Sequence, residues 1–128
     1  MAWPSHLLRI DSTAGLVVGT AEVLAAPWLS PFFGLPLVAI YGLAAANLLY
    51  GLYAFSLARR SVRPRPLLHV LIGANAAWAV FCWILVALLL GTATVFGLLH
   101  LAAEGLFVGG LALLEWRHRE ALLVAPGA

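Results

Sequence analysis

The sequence predicts an all-α fold, a four-transmembrane-helix up-and-down bundle with both termini cytoplasmic. Three observations lead there. Four apolar stretches are each long enough to cross a bilayer as helix. Of the 128 residues, 64% are apolar and only 9% are charged, whereas a soluble domain carries about 25% charged residues to face water. All seven basic residues are arginines, and they fall at three places that an even number of spans puts on one side.

The whole chain reads as one membrane domain, 1–128. Its first span is expected at Ile10–Leu29, with Asp11 or Ser12 as the N-cap. Val23-Leu24-Ala25 has the look of a signal-peptidase site, but Asp11 and Glu22 interrupt the apolar run that a leader needs, so the span is expected to be retained. Pro27, Pro31 and Pro36 follow, and are expected to forbid a continuous helix there. The second span is placed at Pro36–Ala58 and the third at Leu67–Leu90, with the connection RRSVRPRP between them. Gly91-Thr92 leads into the fourth, Thr92–Trp116, and the tail after Arg119 is expected to fray. Trp3, Trp28, Trp83 and Trp116 suit the two interfacial belts, while Tyr50 and Trp78 read as core aromatics.

Arg9, the group Arg59, Arg60, Arg63 and Arg65, and the pair Arg117 and Arg119 set the orientation. The opposite loops carry no Lys or Arg, so the positive-inside rule places both ends and the arginine loop in the cytoplasm of a cell inner (plasma) membrane. The same four loop arginines also suit contact with anionic headgroups of the lipid bilayer. With a net charge of +2, no nucleic-acid partner is expected.

Ionisable residues inside a span are expensive and face a bundle interior or a water-filled cavity. Glu22, His100 and Glu104 are such residues, accompanied by Asn47 and Asn75. Counted along each helix from its cytoplasmic end, Glu22 and His100 are read as one level, and Asn47, Asn75 and Glu104 as a level nearer the cytoplasmic side. The expectation is a Glu22–His100 layer stacked on an Asn47–Asn75–Glu104 layer. Helical stripes agree: Asp11, Gly15, Gly19 and Glu22 in the first span, and Gly97, His100, Glu104 and Val108, continued to Glu115, in the fourth. Small residues accompany each polar one and permit close helix contact. Gly15 and Gly19 share the Glu22 stripe and are expected to pack internally. Gly105 and Gly109 lie off the His100–Glu104 face and suit either a neighbouring span or a second subunit of a homo-oligomer.

Two family resemblances are carried by short motifs. Asp11, Gly34-Leu35-Pro36, Asn75-Ala76-Ala77-Trp78 and Thr94-Val95-Phe96-Gly97 resemble small bacterial four-span integral membrane proteins to which no function is assigned. Ala21-Glu22-Val23 in the first of four short spans is similar to the glutamate region of small multidrug-resistance transporters, which implies a proton- and substrate-binding role for Glu22. That family's second-span Pro-Thr-Gly stretch is missing here, and Glu104 has no counterpart in it.

No enzyme, metal or cofactor is expected. The lone Cys82 and the histidine spacing match no zinc motif, and His100 four residues before Glu104 does not repeat as a di-iron bundle requires. His69 lies near the cytoplasmic end of its span and His100 deep in its own, too far apart in depth for one haem to bridge. The leading expectation is a structural or accessory membrane protein held together by a polar core. The alternatives are an oligomeric proton-coupled small-molecule transporter using Glu22 or Glu104, and a membrane subunit that binds a cofactor or lipid.

Overall fold

The structure, a computed structural model, describes residues 3–126. A 3-10 turn, Trp3–His6, leads into α1 (Leu7–Phe33), and α2 (Leu37–Ala58), α3 (Arg65–Leu88), α4 (Val95–Arg117) and the short α5 (Arg119–Leu122) follow. The four longer helices are all long and apolar enough to cross a membrane. Their outward faces carry Leu24, Val38, Leu49, Leu88 and Leu106, each at least two-thirds exposed in the isolated chain, as a surface made for hydrocarbon would be.

Contacts between backbones show that sequential neighbours run antiparallel. A Cβ added to Gly15 would lie 2.9 Å from the Asn47 carbonyl, and one on Gly19 would lie 3.0 Å from that of Ala44. In the second hairpin, Gly105 faces Cys82 and Trp83, and Gly109 faces Ala79. Both glycine pairs therefore pack within the chain, the first on α2 and the second on α3. Between the hairpins, Tyr53 donates to the Leu67 carbonyl at 2.7 Å.

Several boundaries differ from the expected ones. The prolines do not break α1: Pro27 and Pro31 both lie inside it. Each removes one N–H and frees one carbonyl, but among apolar neighbours the helix remains the cheapest way to satisfy all the other backbone groups, which is why spanning helices tolerate proline. Gly34 ends the helix instead. Its φ of 67° is the left-handed conformation that favours glycine. Leu35 N then bonds the Ser30 carbonyl at 3.0 Å, and Ser30 Oγ donates back to the Leu35 carbonyl at 2.6 Å. Because α1 starts at Leu7, Asp11 and Ser12 are not caps; both are buried inside the helix. Residues 89–94, rather than Gly91-Thr92 alone, separate α3 from α4. Thr94 fixes this corner: its N–H and hydroxyl donate to the Phe33 and Phe32 carbonyls, and its Oγ1 accepts from Gly97 N at 3.2 Å.

Within the described residues the tail, expected to fray, is held. Arg63 N bonds the Leu123 carbonyl at 2.8 Å, Ala125 N bonds that of Ser61 at 2.7 Å, and Val62 pairs with Val124. Arg63, expected at the headgroups, is turned inward and only 5% exposed. Its guanidinium donates to the carbonyls of Leu57, Ala58 and Leu122, closing the open end of α2 and tying α5 to it. Burial lowers the guanidinium below the usual arginine range, and three carbonyl acceptors offset that desolvation. Arg63→Lys keeps the charge but loses the fork, and is expected to lower stability by about 1–2 kcal/mol. Arg60→Lys, on the exposed side of the same loop, is expected to leave the thermal midpoint in detergent unchanged. Across the tail, Arg65 grips Glu120 with both guanidinium nitrogens and holds its carboxyl below the ordinary range.

Candidate functional site

Asp11 and Glu22 stand eleven positions apart on α1, and Glu104 and Glu115 stand eleven apart on α4. Eleven residues are about three helical turns, so each helix presents two carboxyls on one face, ~16 Å apart along its axis. The helices run antiparallel, which brings Asp11 level with Glu115 and Glu22 level with Glu104.

Each level is closed by an asparagine. In the inner layer, Asn47 of α2 donates from Nδ2 to Glu22 Oε1 at 2.8 Å and to Glu104 Oε1 at 3.2 Å. In the outer layer, nearer the termini, Asn75 of α3 donates from Nδ2 to Asp11 Oδ2 at 2.8 Å and to Glu115 Oε1 at 2.9 Å. Three residues after each asparagine stands an aromatic donor, and it serves the other layer. Tyr50 reaches Asp11 Oδ2 at 2.9 Å, and Trp78 Nε1 reaches Glu104 Oε2 at 2.6 Å. The two layers are thus one bonding pattern used twice, related by a pseudo-twofold axis across the bundle that exchanges α1 with α4 and α2 with α3.

The pattern differs in one place. His100, one turn before Glu104, sets Nε2 3.3 Å from Glu22 Oε2 and 4.0 Å from Glu104 Oε1. Its ring stacks on Phe33 with centroids 4.7 Å apart. The position that corresponds to it in the outer layer, one turn before Asp11, is Leu7. Accordingly Glu115 Oε2, the counterpart of the oxygen that His100 meets, is buried with no hydrogen-bond partner among the described residues. Asp11 and Glu115 are 2% and 0% exposed and meet at one amide, with no cationic partner among the described residues.

Of the residues singled out from sequence, Glu22, Asn47, His100 and Glu104 come together in one layer rather than in the two stacked ones expected, and His100 meets Glu22 within it. Asn75 does not join Asn47. Its bond to Asp11, which lies only one turn into α1, shows that the helix ends do not share a plane, as the even depth count had assumed. Asp11, Tyr50, Trp78 and Glu115 belong to the site but were not assigned to it; the stripes that contain Asp11 and Glu115 were the available signal. Cys82 adds a weak sulfur donor, 3.7 Å from Glu104 Oε2.

A cleft of about 290 Å³ opens between α1 and α4 onto this core, lined by Asp11, Asn47, Tyr50, His100, Glu104 and Phe107. It leaves the His100 side chain 25% exposed while Glu22 is covered. Glu22, His100 and Glu104 each offer one donor atom within 4.8 Å of the other two, close enough to share one metal ion.

No protein-family model, curated protein or solved structure matches the chain.

Proposed function

We propose that the protein is a small non-enzymatic protein of the plasma membrane, multi-pass with both termini cytoplasmic, whose two carboxyl–amide layers hold four helices in register. One observation supports this above the others: each of the four carboxyls accepts a hydrogen bond from a side chain on another helix. The layers therefore involve every span, and neither hairpin completes its own polar groups without the other. Interhelical bonds of this kind stabilise by about 0.6–2 kcal/mol each, enough in sum to decide one packing over another. Arg59 and Arg60, both exposed, remain for headgroup contact, Arg63 and Arg65 being engaged within the chain.

Glu22→Gln and Glu104→Gln test this reading. Each keeps an acceptor oxygen for Asn47, so a structural role predicts folded variants with thermal midpoints close to the parent and an unchanged cellular role. The orientation has its own test. A phosphatase reporter fused after Ala128 is expected to be inactive, and activity there would contradict cytoplasmic termini.

The cleft favours a second reading, a proton-coupled carrier of small cationic molecules, because it leads to two carboxyls and a histidine. A carrier predicts that Glu104→Gln folds normally yet abolishes proton-coupled uptake in proteoliposomes.

A further inference from the structure

We propose that Glu22, His100 and Glu104 form a binding site for one divalent transition-metal ion of the zinc class, reached through the cleft between α1 and α4. The donor set is the first ground. Zinc takes imidazole nitrogen and carboxylate oxygen at about 2.0–2.2 Å, so ligand atoms around one ion stand about 3–4 Å from each other. His100 Nε2 lies 3.3 Å from Glu22 and 4.0 Å from Glu104, within that range before any adjustment.

Charge balance is the second ground. Two ionised carboxylates in an apolar bundle would be balanced by two positive charges, and every arginine lies near the ends of the spans or in the arginine loop. A protonated His100 supplies one. A divalent ion with neutral imidazole supplies both and leaves the layer uncharged, the cheapest state in a low dielectric.

The third ground is orientation. Ligating carboxylates are held by hydrogen bonds from outside the ligand set. Asn47 holds one oxygen of each glutamate, and Trp78 holds the second oxygen of Glu104, while Glu22 Oε2 remains turned to the histidine. Partial exposure of His100 leaves the ion an open position toward the cleft. The outer layer is a control within the molecule, for it repeats the carboxyls, the amide and the aromatic donor but has Leu7 where a third ligand would stand.

The test is zinc titration of the full chain in detergent, followed by thermal midpoint and by equilibrium dialysis. One zinc per chain and a raised midpoint are expected. His100→Gln should weaken binding at least about 100-fold and Asn47→Ala about 10–100-fold, the range seen when groups that orient metal ligands are removed. Glu115→Gln, in the control layer, should bind as the parent does. A triple variant, His6→Gln with His69→Gln and His118→Gln, should also keep the site, since those side chains lie nearer the helix ends. Should His100→Gln not fold, the unaltered chain still decides. Cobalt(II) should broaden one of the four histidine ring signals, together with the Trp78 indole N–H, in NMR spectra. The proposal is overturned by any of three results: no zinc-dependent shift in the parent, full affinity in folded His100→Gln, or loss of binding in the triple variant.

Discussion

Asn75→Leu is expected to destabilise the protein by about 3–5 kcal/mol, the loss seen when one partner is removed from a buried charged network. The bare hydrogen bonds do not account for that magnitude; between membrane helices they average about 0.6 kcal/mol. What raises it is the state left behind. Asp11 and Glu115 would face each other with Tyr50 as their remaining side-chain donor, and Glu115 Oε2 is already without a partner. Adding Glu115→Gln to Asn75→Leu should recover more than half of the loss, because the new amide donates to Asp11 and removes the second carboxyl. Reversible unfolding in mixed detergent measures both. A loss below 1 kcal/mol for Asn75→Leu, or no recovery in the double variant, would contradict the outer layer as described.

Gly97→Ala is expected to cost about 3 kcal/mol, the upper end for overpacking. The added methyl carbon would overlap the Phe33 carbonyl oxygen, and that oxygen is held in place by the Thr94 N–H. Neither side can give way, because both are backbone at the corner where α1 ends and α4 begins. Gly109→Ala supplies the contrast. Its Cβ would meet only the Ala79 methyl at 3.4 Å, an ordinary contact, so its unfolding free energy should stay within about 0.5 kcal/mol of the parent. Equal losses at the two glycines would show that the α1–α4 corner is not as tight as described.

The four helices were legible in the sequence because composition and span length leave little choice in an apolar solvent. Glu22, Asn47, His100 and Glu104 were legible as one site because intramembrane polar residues must find each other. Helix ends were not. Pro27 and Pro31 carry a breaking signal in water that hydrocarbon suppresses, and Gly34, the residue that does end α1, looked like part of a loop. Asp11 was read as a cap because it stands near a span boundary; α1 instead begins one turn earlier, at Leu7, and sets the Asp11 carboxyl inside the bundle against Tyr50 and Asn75. Asn75 was assigned to the wrong layer because depth counting assigns all helix ends to one plane. The doubled pattern, two carboxyls eleven residues apart on α1 and on α4 and an Asn-x-x-aromatic on α2 and on α3, is written in the sequence. It becomes visible only when antiparallel packing sets the halves against each other. Arg63 was beyond reach, since nothing in RRSVRPRP distinguishes the arginine that turns inward from those that do not.

The two-layer core is tested most directly by a pair of double-mutant cycles on unfolding free energy. The first couples Asn47→Ala with Glu104→Ala, within the inner layer; the second couples Asn47→Ala with Glu115→Ala, across layers. Residues in one network couple by about 0.5–3 kcal/mol, while distant pairs add within about 0.3–0.5 kcal/mol. The structure predicts a coupling above 1 kcal/mol for Asn47 with Glu104 and none beyond error for Asn47 with Glu115. Equal couplings, or the larger one across the layers, would contradict the arrangement of the core.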